Sequence, residues 1–381
     1  MRIGFDVQVL RHNQGGTAVY TRNLFAALQR CYPADDWVPL DWPVRLPPRN
    51  KLTKAGNALL DLYYLHVIVP LAARRAGVDL AHFPANMGAL WLPCPVVVTI
   101  YDMLVEHVPD GFDPWFRAFF RRFAPPSARR AARVITLSEF SKRDIVRYCR
   151  VPAAKVHVIP PGITPDFQPA DPQAARARLA AGYGLDARPM VLAVGEINPR
   201  KNLHTLIRAV AALRQVHPAL ACRLVIAGQP RDAAYYGQLQ TLAGALGVAD
   251  AVRFTGYVPA AELPAFYAAA GVLAFLSPYE GFGLPVLEAM ASGLPVLAAN
   301  RTALPEAVGH AGILVNPDAV PIIAERLYDL LTDPALRARL IAAGHEHAAR
   351  FTWEHAARLT HAVYEQALTP PNAGRRDYAS D

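Results

Sequence analysis

The chain has 381 residues, 53% of them hydrophobic and 18% charged, with a formal net charge of +8. That is too apolar for a disordered polymer and long enough for two domains of ordinary size. Its longest apolar stretch, Leu59 to Ala73, is broken by Asp61, His66 and Pro70, which excludes a transmembrane span of about 20 uncharged residues.

In chain order, short β-rich runs alternate with helix-length segments. RIGFDVQVL opens the chain and reads as a strand, too short for the apolar core of a leader. A glycine-rich loop, HNQGG (His12–Gly16), follows it, then a helix from about Thr17, seen most plainly over Tyr20–Arg30. PVVVTIYD, RVITLS and VHVIPPG continue the strands, with a helix over Glu139–Tyr148 between the last two. Pro160–Pro172 then shows neither period and reads as a linker between domains. Beyond it come MVLAVGEI, RLVIAG, VRFTGYV, GVLAFLS and LPVLAAN, with helices over Leu203–Gln215 and Ala234–Leu246. Buried strands alternating with helices point to doubly wound α/β domains with parallel sheets, which bind ligands at strand ends and helix starts.

Charge is uneven. Residues 1–185 carry 23 Lys and Arg against 14 Asp and Glu, a net of +9, and the remainder 16 against 17. Basic clusters stand at Arg45, Arg49, Lys51 and Lys54, at Arg117, Arg121 and Arg122, and at Arg129, Arg130 and Arg133. Such a half suits a solvated surface, an anionic substrate or anionic lipid. The segment Lys51–Arg75 reads either as a buried helix with basic ends or as a lipid-docking face. No zinc-finger, RNP or basic-helix motif points to nucleic acid. Cys31, Cys94, Cys149 and Cys222 are widely spaced, which disfavours a disulfide framework or structural zinc and suits a reducing cytoplasm.

Three places carry chemistry. In SPYEGFGLPVLEAMASGLPVLAAN (Ser277–Asn300), Gly281 and Gly283 permit a tight turn and Pro285 suits the start of a helix. The helix N-terminus there favours an anion such as a diphosphate. Glu280 in the loop and Glu288, expected in the first helical turn, are placed to accept hydrogen bonds from sugar hydroxyls at the mouth of one cleft. In VGEINPRKNLHTLIRAV (Val194–Val210), Arg200 and Lys201 stand where a strand gives way to a helix and suit phosphate oxygens. Gly15 and Gly16 open the first helix in the same way.

Together these motifs resemble family four of the retaining glycosyltransferases. The resemblance covers residues 1–368. It rests on the E-x7-E pair Glu280 and Glu288, the RKN of Arg200, Lys201 and Asn202, the Gly15-Gly16 loop, LSEFSKRDI, VIPPGI and the closing helix FTWEHAARLTHAVYEQAL. It implies a GT-B fold: two facing Rossmann-like domains, 1–169 for the acceptor and 170–350 for a nucleotide sugar, with an interdomain cleft. A helix over 351–368 would cross back to the first domain, and 369–381 would be a tail. It also implies that Glu288 binds the ribose hydroxyls and Glu280 the donor sugar, while Arg200 and Lys201 neutralise the departing diphosphate. Backbone N–H groups of Phe282, Gly283 and Leu284 would reach sugar or phosphate. Gly15 and Gly16 would touch the diphosphate, and Tyr257 and Val258 would border the base. Transfer would retain the anomeric configuration and need no metal or other cofactor.

The family's usual His-Asp is here Tyr101-Asp102, with Tyr101 left as a hydrogen-bonding substrate contact and Asp102 as either a catalytic candidate or a core or capping residue. Glu196 stands where many members carry arginine. His82 and His107 are expected near the cleft as strand-end histidines, although a lone histidine is more often structural than functional. The opening of the chain resembles the bacterial mannosyl- and rhamnosyltransferase branch. That implies GDP-mannose before a UDP-sugar as donor, a glycan or lipid-linked acceptor, and a cytoplasmic enzyme with a possible anionic membrane contact. An epimerase on the same fold and a non-catalytic nucleotide-sugar or lipid-surface binder are the alternatives, because fold does not fix chemistry.

Overall fold

The computed structural model of the chain describes residues 1–11, 15–42 and 51–369, leaving aside the side chains of residues 51, 52, 54, 55, 58 and 110. The chain divides into two units. The first comprises Met1–Met103, Asp113–Gly162 and the chain from Trp353 on; the second comprises Leu104–Phe112 and Ile163–Thr352.

The first unit holds strands β1 (Arg2–Asp6), β2 (Asp36–Leu40), β3 (Leu80–Phe83), β4 (Val96–Thr99), β5 (Arg133–Thr136) and β6 (Val156–Val158). They pair in parallel in the order β2-β1-β3-β4-β5-β6. Helices α1 (Gly16–Cys31), α2 (Lys51–Tyr63) and α3 (Val69–Ala76) come first; α4 (Leu104–His107) belongs to the second unit, and α5 (Pro114–Arg130) and α6 (Glu139–Cys149) return to the first. β3 and β4 are buried at every residue, which is why they read as unbroken apolar runs rather than alternating ones. α1 turns Tyr20, Leu24, Ala27 and Leu28 inward at helical spacing.

The opening run RIGFDVQVL is only partly a strand. β1 ends at Asp6, whose carboxylate accepts the N–H of Gln8 at 3.0 Å, and Gln8–Arg11 coil into a 3-10 turn. This local side-chain bond competes with extension of the strand. Residues 51–76 form one helical rod with a π-helical turn at Tyr64–Ile68. One face of the rod is buried through Tyr64, Leu65, Val69 and Ala73. Leu59, Tyr63, Val67 and Leu71, each four residues from the next, are exposed by 66%, 48%, 36% and 48%. A spacing of four drifts around an ordinary helix of 3.6 residues per turn; the wider π turn brings the stripe back into line. The rod is therefore not buried all round.

The second unit holds β7 (Met190–Val194), β8 (Arg223–Ala227), β9 (Val252–Gly256), β10 (Val272–Phe275), β11 (Val296–Ala299) and β12 (Ile313–Val315), all parallel, in the order β12-β11-β10-β7-β8-β9. Its helices are α7 (Pro172–Tyr183), α8 (Leu203–Val216), α9 (Ala233–Ala245), α10 (Leu263–Ala269), α11 (Leu284–Ala291), α12 (Leu304–Val308), α13 (Val320–Thr332) and α14 (Pro334–Ala348). Asp171, Asp232 and Asp333 cap α7, α9 and α14 by accepting first-turn N–H groups. Leu206, Val210 and Leu213 of α8 pack with Ile323 and Leu327 of α13 and with Leu224 and Ile226 of β8. Each such side chain contributes about 1.5–3 kcal/mol by burial. The strand order reverses between β7 and β10, and crevices at the carboxyl ends of such strands are where doubly wound sheets bind ligands.

The last helix, α15 (Trp353–Leu368), packs on α1 in the first unit. Trp353 stands edge-on to Tyr20 with ring centroids 5.7 Å apart, and Tyr364 is fully buried.

Candidate active site

At the end of β7 the chain passes Gly195, whose φ of +127° disfavours any residue with a β-carbon. Its N–H donates to the Ala227 carbonyl at 3.0 Å, and that of Ile197 to Gln229 at 2.9 Å. A 3-10 turn over Pro199–Lys201 then leads to Asn202, which is buried and left-handed at φ +53°. Asn202 Nδ2 donates to the carbonyls of Pro317 at 2.9 Å and Leu276 at 3.3 Å, and its Oδ1 accepts from Thr205 at 2.7 Å. The asparagine of the RKN motif thus fixes the start of α8, which holds the two cations before it beyond the carboxyl end of the central strand β7.

The loop after β10 meets them. Ser277 is buried, and its hydroxyl is shared between the carbonyls of Tyr279 at 3.0 Å and Arg200 at 3.1 Å. Arg200 Nη1 donates to Tyr279 O at 3.0 Å and to Glu280 Oε1 at 2.7 Å; Lys201 Nζ donates to that same oxygen at 2.7 Å. The N–H of Glu280 donates to Thr302 Oγ1 at 3.0 Å. Lys201 Nζ also lies 4.6 Å from the centre of the Phe275 ring, a favourable cation–π distance. Burial pushes the Glu280 carboxyl up, but the charges of Lys201 and Arg200 outweigh it and hold it below its ordinary value. Burial lowers the Lys201 ammonium against the opposing pull of Glu280. Two cations on one carboxylate leave a net charge of +1 in a partly desolvated place, an electrostatic seat for an anion.

Gly283, at φ +122°, caps α11, and a β-carbon on it would stand 2.8 Å from Leu304 Cδ2. Pro285 lies in the first turn, as its fixed φ and missing N–H favour. Leu284 begins the helix half-buried, and Phe282 is buried with its ring 5.9 Å from that of Phe351. Glu288 lies one residue deeper in the helix than the sequence suggests: it is the fifth residue of α11, in the second turn, because the helix starts at Leu284 rather than at Pro285. Its Oε2 accepts from the Tyr267 hydroxyl at 2.9 Å, and burial pushes its carboxyl up to about 7. After β9, Tyr257 is exposed by 61% and Val258 is buried.

The structure brings Arg200, Lys201 and Glu280 into direct contact. His107, at the end of α4, places its ring 4.7 Å from that of Tyr279. Tyr267, Ser277 and Thr302 escaped the sequence reading: Tyr267 sits in FYAA, which reads as plain core, and the two hydroxyls are unremarkable in loops.

In the first unit, Gly15 caps α1 and its carbonyl accepts the N–H groups of Ala18 at 3.0 Å and Val19 at 3.2 Å; Gly16 is the first helical residue. His12 and the rest of 12–14 lie outside the described residues, as do Arg45 and Arg49. Tyr101 turns inward. Its hydroxyl donates to the Pro84 carbonyl, its N–H donates to Asn86 Oδ1 at 3.0 Å, and its ring stands edge-on to Tyr20 at 5.2 Å. Burial pushes its phenol well above the usual range. Asp102 beside it is half-buried. His82 is not a strand-end ligand candidate but a core residue. It is fully buried within β3, with Nδ1 2.6 Å from Tyr364 Oη and Nε2 2.8 Å from Thr99 Oγ1. Among the described residues no three His, Cys, Asp or Glu side chains are grouped to hold a metal ion.

Residues 4–167 match the model for Glycosyltransferase Family 4, and residues 179–347 that for Glycosyl transferases group 1. The O-antigen chain mannosyltransferase B of Escherichia coli is 31% identical over 274 residues, 71% of this chain and 70% of that protein. The chain belongs to glycosyltransferase family 4. This glycosyltransferase is also 31% identical to the alpha-D-kanosaminyltransferase of Streptomyces kanamyceticus, over 68% of this chain and 67% of the relative. To the D-inositol 3-phosphate glycosyltransferase of Stackebrandtia nassauensis it is 40% identical, over 62% of this chain and about half (54%) of the relative's length. Anabaena HepE, solved in complex with UDP, matches the family-4 glycosyltransferase with a TM-score of 0.74 at 21% identity, covering 96% of this chain and 100% of that one. The two parallel six-stranded sheets are those of the GT-B class.

Proposed function

We propose that this glycosyltransferase moves a sugar, with retention, from a nucleotide-sugar donor to a glycan or lipid-linked acceptor in polysaccharide or lipopolysaccharide biosynthesis. GDP-mannose is the first donor expected and a UDP-sugar the second. The observation that carries the reading is the convergence of Arg200 Nη1 and Lys201 Nζ on Glu280 Oε1, both at 2.7 Å. The net positive charge and the start of α11 would seat the diphosphate. Glu280 would hold the sugar, Glu288 the ribose hydroxyls, and Tyr257 and Val258 the base; N–H groups of Phe282, Gly283 and Leu284 would reach sugar or phosphate. As the bond from the anomeric carbon to the diphosphate oxygen breaks, the bond to the acceptor oxygen forms on the same face. The acceptor's proton passes to the leaving phosphate, whose growing charge Arg200 and Lys201 stabilise.

The mannosyltransferase relative and the Glu288–Tyr267 pair support a sugar nucleotide as donor. Release of GDP or UDP from a panel of nucleotide sugars, offered with glycan and lipid-linked acceptors, tests the reading. Release that Glu288→Ala and Lys201→Ala leave undiminished overturns it. Conversion of the sugar with no nucleotide released would assign the chain to epimerase chemistry instead.

A second reading concerns where the acceptor is met. We infer that the exposed stripe Leu59, Tyr63, Val67 and Leu71, followed by the exposed Arg74 and Arg75, lies on an anionic membrane surface. Apolar side chains aligned on one face and ending in cations fit the boundary between headgroups and acyl chains. Among the described residues no helix is long and apolar enough to cross a membrane.

A further inference from the structure

Tyr267 is 1% exposed, in the middle of α10. Phe167 stands edge-on to its ring, with centroids 5.6 Å apart at 77°. Its hydroxyl donates to Glu288 Oε2 at 2.9 Å, and among the described residues no other side chain bonds that carboxylate. A phenol held on a packed ring has little freedom, so the bond fixes the carboxylate's rotamer as well as its charge. We propose that Tyr267 is a positioning residue for Glu288, holding one carboxylate oxygen so that the other accepts a hydroxyl of the nucleotide sugar, and that binding of that ligand releases a proton to solvent. The inference rests on the reading of Glu288 as the group that holds the ribose.

The proton follows from the surroundings. Burial pushes Glu288 up to about 7, while the Tyr267 hydroxyl pulls the other way. Strands β10 and β11, packed against α11, carry no titratable side chain. α12 carries Glu306. On α14, His345 lies against Gly293 and His347 against Gly309, with its Nε2 at the Ala307 carbonyl. The remaining charges of α14 are Arg337, on the Gly271 and Leu330 carbonyls, Arg339, and Glu346, paired with Arg350. Among the described residues no cation bonds Glu288 to keep it ionised. A ligand hydroxyl donating to the carboxylate favours the ionised form, so the fraction protonated before binding must lose its proton.

Titration calorimetry of the full chain with GDP-mannose and UDP-glucose tests this. Both ligands are diphosphate diesters with no titration of their own near neutrality. Runs between pH 6 and 8, in buffers of different ionisation enthalpy, count the protons released. The expected result for the wild type is affinity about tenfold weaker at pH 6 than at pH 8, with close to one proton released at the lower pH and almost none at the higher. Tyr267→Phe should move the onset of weakening to higher pH, and Glu288→Gln should bind weakly with no pH dependence. Tyr267→Phe curves that superimpose on wild type while Glu288→Gln is weak overturn the role of Tyr267 alone, and a pH-independent wild type overturns the proton release. Glu288→Gln binding like wild type, or a wild type that binds neither sugar, overturns the underlying reading of Glu288. A thermal melt of each variant separates these outcomes from misfolding.

Discussion

A β-carbon built on Gly228 would stand 1.9 Å from the carbonyl oxygen of Gly195. The two loops leaving β7 and β8 touch backbone to backbone at this point, and the first carries Arg200 and Lys201. Neither partner in the clash is a flexible side-chain tip, so one main chain has to move. Gly228→Ala should cost about 1–3 kcal/mol of stability as an overpacking change. It should also displace the cation pair and lower sugar transfer more than any comparable change on the outer helices. Thermal melts and nucleotide release read the two effects. A variant with wild-type melting and turnover would show that the loops have room to separate.

The triad of Arg200, Lys201 and Glu280 yields opposite expectations for its members. Lys201→Ala removes charge meant for the leaving diphosphate and should lower kcat about 100-fold, the usual scale for losing one such donor. Glu280→Gln leaves two neighbouring cations without their shared anion, at side-chain exposures of 22% and 13%. Breaking such a pair should cost about 2–4 kcal/mol, and added phosphate should recover part of the loss by binding the exposed charge. Equal melting of Glu280→Gln and wild type, with and without phosphate, would contradict the proposed anion seat.

His82 sets an acid limit on the first unit. Burial pushes its imidazole down to about 3, whereas in an unfolded chain it titrates near 6.5. Between those values the unfolded chain holds a proton that the folded chain does not. Its contribution to stability is therefore complete above about pH 6.5 and is lost as pH falls toward 3, at up to about 1.4 kcal/mol per pH unit. In urea unfolding between pH 4.5 and 7, His82→Gln should show a shallower acid slope by about one proton while keeping polar partners for Thr99 and Tyr364. An unchanged slope would mean that other groups dominate.

The stripe on the 51–76 rod predicts lipid binding that depends on both grease and charge. Wild type should float with vesicles containing about a third anionic lipid and remain behind with neutral ones or at high salt. Leu59→Ser with Leu71→Ser should abolish flotation without lowering the melting temperature, since both positions are exposed. Flotation indifferent to anionic lipid would remove the idea.

Much of the architecture could be read in advance because fully buried strands such as VVVT and VLAF write their environment into four consecutive letters. Gly283 and Pro285 likewise mark the start of α11 by backbone needs alone. What escaped depends on distant partners. The bond from Tyr267 to Glu288 spans 21 residues and joins two helices that each look ordinary. His82 sits in a strand of four residues, where one position separates the edge from the interior, and its partner Tyr364 lies 282 residues away. Tyr101 follows a strand as expected, but its hydroxyl is taken up by the Pro84 carbonyl, and no local pattern foretells that. The exposed stripe depends on a π turn, which an assumed 3.6-residue period hides.

The first unit is assembled from three stretches of chain, the last of them beginning at Trp353. A ribosome must therefore make the whole second unit before α15 can dock on α1. Until then Tyr20 lacks Trp353 and His82 lacks Tyr364, so the earlier-synthesised half is the later to mature. Truncation ahead of α15 should accordingly injure the part of the molecule translated first.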